Sequence, residues 1–208
     1  MARATHSTRS IDAPLDAIAL LKQDHRAVEA LFEEFEDADE SEQSELATRI
    51  CQMLTVHAQI EEEYLYPQAK DAFGEEEDEL VYEAEIEHGS AKELIAKIEA
   101  STPEDPHFKP LVKVLSEYVK HHVKEEEKEL FPSLKDTELD LKELGSQLAQ
   151  RKLELMEQMG IEAEEAPEPR RKKSSGSRAT RAASSKRRQA RAGSRSKSAR
   201  GSSSRARH

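Results

Sequence analysis

The sequence contains no tryptophan and a single cysteine, Cys51, among its 208 residues. One cysteine excludes an internal disulfide framework and a zinc site built from several cysteines. Seven glycines and eight prolines are too few for a β-sandwich with many tight turns. No run of eighteen apolar residues is present, and acidic residues and Pro14 interrupt the one candidate signal core. We therefore expect a cytoplasmic protein without a transmembrane segment.

The net charge of −11 conceals two segments of opposite sign. All 43 acidic residues lie at or before Glu168, whereas residues 170–208 contain 15 of the 32 lysines and arginines and no acid. This basic segment also lacks leucine, isoleucine, valine and aromatic residues, so it cannot bury enough apolar surface to fold. We expect residues 161–208 to be a disordered linker and basic tail, and residues 1–11 to be a flexible N-terminus.

The first 160 residues show the apolar spacing of amphipathic helices and no alternation typical of strands. Asp12 or a neighbour is expected to cap the first helix, with Pro14 in its first turn. The pattern predicts an all-α, up-down four-helix bundle at residues 12–136 and an additional helix within 137–160, which covers the bundle end or mediates assembly. The five helices are predicted at about 14–35, 44–67, 75–100, 108–131 and 138–159.

Each helix of the predicted bundle carries one histidine in its apolar seam, and two helices add a glutamate one turn later on the same face. Both of these His-x3-Glu segments lead to an aromatic residue followed by proline, at Pro67 and Pro132. The two halves therefore look like one helical hairpin used twice, with its polar residues meeting at mid-bundle. The six residues are His25, His57, Glu61, His88, His122 and Glu126.

Imidazoles and carboxylates in a bundle core cost several kcal/mol unless they are paired or coordinated. A pair of metal ions would satisfy all six, because each imidazole donates one bond and a carboxylate can bridge two ions. A buried network of hydrogen bonds is the alternative. Tyr118 and Met53, each four residues before a seam histidine, are expected to line the pocket. The off-seam His121 is expected to be solvated or to contact a ligand, and the flanking Glu62, Glu63, Glu125 and Glu127 to belong to solvated faces.

These segments resemble the hemerythrin-like family, the HHE cation-binding domains. The likeness rests on Leu-Lys-Gln-Asp-His25-Arg, His57-x3-Glu61 with Tyr-Leu-Tyr-Pro67, Glu-Ile-Glu-His88, and His122-x3-Glu126 with Glu-Leu-Phe-Pro132. It implies a non-haem centre of two iron ions, oxo- or hydroxo-bridged, with the six residues above as ligands. The resemblance makes Glu61 and Glu126 the bridging carboxylates. Zinc or manganese also suits such ligands.

The sequence departs from the oxygen carriers of that family, which have His-x3-His on the third helix and His-x4-Asp on the fourth. Here the residue four positions after His88 is Lys92, whose ammonium is expected in solvent. The fourth helix has His-x3-Glu. Two six-coordinate ions have roughly twelve coordination places in total. The six ligands and an oxo or hydroxo bridge would leave about two of these places open, against about one in the carriers. The resemblance therefore implies binding or sensing of oxygen, peroxide, nitric oxide or iron. A redox enzyme that decomposes peroxide is an alternative.

The basic tail is similar in composition to linker-histone-like and bacterial chromatin tails. Its charge suits binding of a phosphate backbone without base readout, which suggests a nucleoid-associated protein that protects against iron or oxidants. A solubilising or localising tail is the other interpretation. The candidate nucleic-acid-binding residues are Arg170, Arg171, Lys172, Lys173, Arg178, Arg181, Lys186, Arg187, Arg188, Arg191, Arg195, Lys197 and Arg200.

Overall fold

The computed structural model describes residues 15–74 and 78–161, and these residues contain helices and no strand. The helices are α1 (Ala17–Asp37), α2 (Glu40–Ile60), α3 (Tyr66–Phe73), α4 (Asp78–Glu99), α5 (Phe108–Glu125), α6 (Phe131–Lys135) and α7 (Leu141–Gln158). Two π-helical segments, π1 (Glu61–Leu65) and π2 (Glu126–Leu130), join α2 to α3 and α5 to α6.

Four helical segments form the bundle: α1, the continuous segment α2–π1–α3, α4, and the continuous segment α5–π2–α6. They form the predicted up-down four-helix bundle, and α7 packs against α1, α2 and π1 as an additional helix. No helix within the described ranges is long and apolar enough to cross a membrane. The predicted flexible segment 1–11 and the basic tail lie outside the described residues.

Side-chain caps determine where the first two helices begin. The carboxylate of Asp16 accepts a hydrogen bond from the backbone N–H of Ala19 at 2.8 Å, so α1 begins at Ala17. Of Asp12 and its neighbours, which were expected as caps, it is Asp16 that caps the helix; the expectation that Pro14 lies in the first turn is wrong, since the helix begins three residues later. Asp39 and Glu42 form a capping box, which begins α2 at Glu40, a turn earlier than predicted.

The apolar core is divided into two clusters by a polar layer. One cluster includes Leu21, Leu65 and Leu148, from α1, π1 and α7. The other includes Phe32 and Leu115, from α1 and α5. Between them lie the buried histidines and glutamates of the predicted seams. Buried polar groups require partners, so this layer is where function is expected.

The π segments rotate the chain just after each seam glutamate. At 100° per residue, Tyr66 would lie about 180° from His57 in an uninterrupted α-helix. The i→i+5 bonding of a π segment adds one residue to the turn and rotates the following residues back by about 100°. Tyr66 is therefore fully buried, and the seam continues through Leu65 and Tyr66, whereas uninterrupted α-helical spacing from His57 would continue it through Tyr64.

The additional helix α7 is fixed by close backbone packing. Its residues Leu144, Leu148 and Leu155 are buried. A Cβ atom at Gly145 would lie 2.4 Å from the carbonyl oxygen of Leu15 and 2.7 Å from the backbone N of Ala17. Only glycine lets the start of α1 approach α7 this closely.

Candidate metal centre

Four imidazoles meet in the polar layer as two pairs. The rings of His25 and His57 lie 4.9 Å apart between centroids, and those of His88 and His122 lie 4.7 Å apart. All four residues are buried. We call the His25–His57 pair the first pair and the His88–His122 pair the second pair; each comes from one helical hairpin.

Glu61 reaches both pairs. Its Oε2 atom lies 3.2 Å from Nε2 of His57 in the first pair and 3.4 Å from Nε2 of His88 in the second. The side chain is fully buried, and it stands at the first residue of π1. It therefore lies between the two histidine pairs and is within reach of both.

Glu126 occupies the matching position from the other hairpin, at the first residue of π2. Its Oε2 atom lies 3.2 Å from Nε2 of His25, and its Oε1 atom lies 3.6 Å from Nε2 of His122. All six residues predicted from the sequence are thus brought together, and their Nε2 and carboxylate atoms face one another.

The donor set fits two metal ions. Neither oxygen of Glu61 has a hydrogen-bond partner among the described residues, and the same is true of Nε2 of His25, Nε2 of His57 and Oε2 of Glu126. Donors on one ion at about 2.1 Å lie about 3 Å or slightly more from each other, which matches these distances. Three groups among the described residues have suitable spacing. Two lie in this layer, one formed by His25, His57, Glu61 and Glu126 and the other by Glu61, His88 and His122; the third, Glu87, His121 and Glu125, is more exposed.

A family model described as Hemerythrin HHE cation binding domain matches residues 16–134. The chain belongs to this family. Its HHE domain thus includes the whole bundle, whereas α7 lies beyond the matched residues. The sequence-based resemblance is confirmed, and the chain is a hemerythrin-like metal-binding protein.

Two known proteins are similar to this HHE protein. A DNA nickase of Nostoc sp. (strain PCC 7120 / SAG 25.82 / UTEX 2576) is 33% identical over 118 residues, which are 56% of this chain and 33% of the relative. The chain therefore spans about a third of that relative's length. A solved Hemerythrin HHE cation binding domain-containing protein from Mycobacterium kansasii covers 69% of this chain, which in turn covers 89% of that one. It has a TM-score of 0.60 at 22% identity, which shows a shared fold.

Burial and mutual charge shift the titration of the HHE centre. The pKa of Glu61 lies well above its ordinary value because of burial and the nearby charge of Glu126. Burial also acts to raise the pKa of Glu126, but the imidazoles of His122 and His25 outweigh it and hold that pKa below its ordinary value. Burial lowers the pKa of His57 to about 4, so its imidazole is neutral at pH 7, the state that binds metal.

The residues that follow Glu61 and Glu126 each contact a histidine of the opposite hairpin. Oε1 of Glu62 lies 3.0 Å from Nδ1 of His88, and Oε1 of Glu127 lies 3.1 Å from Nδ1 of His25. Such contacts fix the ring so that Nε2 faces the metal. The prediction that Glu62 and Glu127 belong only to solvated faces is therefore wrong.

The residue before a seam histidine faces the other histidine of its own hairpin. Oε2 of Glu87 lies 2.8 Å from Nδ1 of His122. Asp24 faces Nδ1 of His57, but at 3.7 Å. The sequence did contain a signal for these four carboxylates, because each occupies the same place in both copies of the repeated hairpin.

Cations pair with Glu62 and Glu127, two of these four carboxylates. The Lys92 ammonium donates to both oxygens of Glu62 at 2.6 Å, which corrects the expectation that it points only to solvent. Arg26 donates to both oxygens of Glu127 at 2.7 and 2.9 Å. These pairs keep the carboxylates ionised and fixed, although half-exposed pairs add little to global stability.

His121 lies outside the polar layer. Its side chain is 55% exposed, and its Nε2 atom lies 3.2 Å from Glu125 and 3.8 Å from Glu87. Glu87 in turn contacts the ring of His122. Of the two adjacent histidines, the structure thus brings His122 to the centre, as the seam predicted.

Tyr66 is a residue of the centre that the sequence-based ligand set omitted. Its hydroxyl donates to Oε1 of Glu126 at 3.2 Å and lies 3.2 Å from Nε2 of His88. The equivalent residue in the other hairpin is Phe131, which stacks on His25 at 5.9 Å. The two halves of the centre therefore differ by one hydroxyl, on the side of the second pair.

A cavity of about 590 Å³ adjoins the histidines of both pairs. Met53 and Tyr118 line it, as the sequence predicted, together with apolar residues such as Val28 and Ile95. This volume lies in the range of cavities that hold small molecules. The metal layer is thus reached from an apolar space.

Replacing Glu127 with alanine is expected to lower metal affinity about 10- to 100-fold, because His25 would lose the group that orients its ring. Titration with a competing chelator measures the change. Glu129→Ala is the matched control, since Glu129 is an exposed residue of the same π2 segment. Equal affinities for the two variants would contradict the orienting role.

Proposed function

We propose that this HHE protein holds two iron ions in the polar layer and uses them to bind or sense a small molecule, with oxygen, peroxide and nitric oxide as candidates. The observation that supports this most directly is the set of buried donor atoms without hydrogen-bond partners in the described residues, on His25, His57, Glu61 and Glu126. Two carboxylates shared between two histidine pairs suit a dinuclear site better than separate mononuclear ones.

Bound iron would supply coordination places that a small oxygen- or nitrogen-containing molecule can occupy. The chain's residues provide the surroundings. The carboxylates that face Nδ1 fix the imidazoles, the cavity lined by Met53 and Tyr118 provides a largely apolar space beside them, and the Tyr66 hydroxyl lies close to His88. This arrangement supports binding of a small, weakly polar molecule.

The decisive experiment is metal content together with an absorption spectrum of the freshly purified full chain. We expect about two irons per chain and near-ultraviolet bands that change on adding oxygen, peroxide or nitric oxide. A stoichiometric change supports a sensor, whereas repeated turnover of peroxide supports the redox-enzyme alternative. Absence of iron, or a zinc whose removal leaves stability unchanged, would contradict the proposal.

Two adjacent histidines provide a matched test of the ligand set. His122→Ala is expected to lose iron and its absorption bands, because His122 contributes Nε2 to the centre. His121→Ala is expected to keep both, since its ring is exposed and contacts Glu87 and Glu125 instead. The reverse outcome would mean that the register assigned to α5 is wrong.

A second candidate function is binding of nucleic acid by residues 170–208. Their 15 cations without an acid support it, and a relative named a DNA nickase is consistent with it. Deleting 170–208 is expected to abolish retention of DNA while leaving metal content unchanged. Binding by the full chain should fall steeply between about 50 and 200 mM salt. Salt-independent binding, or retention after the deletion, would contradict it.

A further inference from the structure

Four carboxylates face the Nδ1 atoms of the four histidines, and their contacts are not equivalent. Glu62, Glu87 and Glu127 each lie 2.8 to 3.1 Å from Nδ1 of their histidine. Asp24 lies 3.7 Å from Nδ1 of His57, beyond hydrogen-bond distance. Both atoms involved, Oδ2 of Asp24 and Nδ1 of His57, are buried and have no hydrogen-bond partner among the described residues.

Asp24 pairs instead with Lys152 of α7. The ammonium of Lys152 donates to Oδ1 of Asp24, whose carboxylate is 9% exposed. The counterpart of Asp24 in the second hairpin is the longer Glu87, which reaches Nδ1 of His122. Glu62, which also pairs with a lysine, contacts both Lys92 and His88 through one side chain. Aspartate is one methylene shorter than glutamate, so Asp24 does not span the distance from Lys152 to His57.

We infer that Lys152 is a positioning residue of the metal centre: by holding Asp24, it leaves the Nδ1–H of His57 without an acceptor and weakens the metal site of the first pair. Loss of such an orienting contact typically costs 10- to 100-fold in metal affinity. The two ions are then held unequally, with the ion between His25 and His57 the weaker. This inference rests on the proposed metal centre.

The weakening contact comes from outside the HHE domain. Lys152 lies on α7, beyond the matched residues 16–134. The neighbouring Arg151 contacts Glu63 rather than Asp24, so Lys152 is the residue of this pair that reaches the first pair's carboxylate. Because coupling is reciprocal, any change that loosens α7 from Asp24 should tighten metal binding at the first pair.

Zinc is a suitable probe of the full chain, since it is diamagnetic and accepts imidazole and carboxylate ligands. Two variants are designed to restore the missing bond by different routes. Lys152→Ala releases Asp24, whereas Asp24→Glu lengthens the side chain and keeps every charge. Both are expected to tighten the weaker zinc site about 10-fold and to give a slowly exchanging Nδ1–H proton signal for His57.

Three controls separate this from general effects of charge or folding. Arg151→Ala removes a neighbouring cation of α7 that does not contact Asp24, and it should leave both readouts unchanged. In an Asp24→Ala background, Lys152→Ala should have no effect on zinc affinity. Helix content measured by circular dichroism confirms that each variant is folded.

The possible outcomes test the role of Lys152 separately from the existence of the metal centre. If the wild type binds no zinc or iron, the metal centre itself fails. If it binds two ions but already shows a protected His57 proton, or if neither Lys152→Ala nor Asp24→Glu changes the weaker site, only the role of Lys152 is overturned. Tightening by Lys152→Ala alone would point to charge rather than positioning and would also overturn it.

Discussion

Replacing Glu61 with methionine should abolish metal loading and at the same time raise the stability of the metal-free protein. Glu61 is fully buried, its pKa is raised well above the ordinary value by burial and by Glu126, and neither oxygen accepts a hydrogen bond from the described residues. An apolar side chain of similar volume removes the cost of burying an unpaired carboxyl group, which is about 1–3 kcal/mol.

Metal analysis and thermal unfolding in the presence of a chelator measure the two effects. The wild type should unfold at a higher temperature with metal than without, because binding to the folded state adds RT ln(1 + [L]/Kd). Glu61→Met should lose that difference. Glu129→Met serves as the control, since Glu129 is exposed. Retention of two ions by Glu61→Met would show that Glu61 is not a bridging ligand.

Replacing Gly145 with valine should detach α7 and destabilise the protein by about 3 kcal/mol, the upper range for overpacked cores. The new Cβ would overlap backbone atoms of Leu15 and Ala17, which cannot move aside as a flexible side chain would. Urea unfolding followed by circular dichroism measures the loss.

Gly89→Ala provides the matched control in α4. A Cβ there meets nothing within 4 Å, and the residue is exposed. Alanine in a helix interior should therefore stabilise by about 0.5–1 kcal/mol. A Gly145→Val protein as stable as the wild type would mean that α7 is not held against α1 as described.

Apolar spacing predicted the helices and placed His25, His57, His88 and His122 in one layer. This succeeded because a histidine within an apolar seam must be buried when the seam packs. The internal repeat then selected His122 over His121 and paired two of the histidines with a glutamate one turn later. What the sequence left open was the environment of these ligands.

Two features escaped prediction for physical reasons. Acids next to a ligand, such as Glu62 and Glu127, have the composition of any solvated face, and only the crossing of hairpins brings them to a histidine. The π segments break the 100° periodicity that pattern analysis assumes, so uninterrupted α-helical spacing does not place Tyr66 in the layer it enters. In both cases tertiary packing, rather than local spacing, determines the contact.

The position of Glu61 and Glu126 across both hairpins has a consequence for the topology of the chain. Ions shared by these glutamates would join residues of α1, α2, α4 and α5 and would close loops of about 30 residues within each hairpin. A cross-link over a loop of that length restricts the unfolded chain by about 3–4 kcal/mol in entropy models. With Cys51 as its single cysteine, this protein cannot tie its hairpins together by internal disulfides. Bound metal would instead act as a reversible cross-link. Its contribution to stability would depend on the supply of metal rather than on the redox state of thiols.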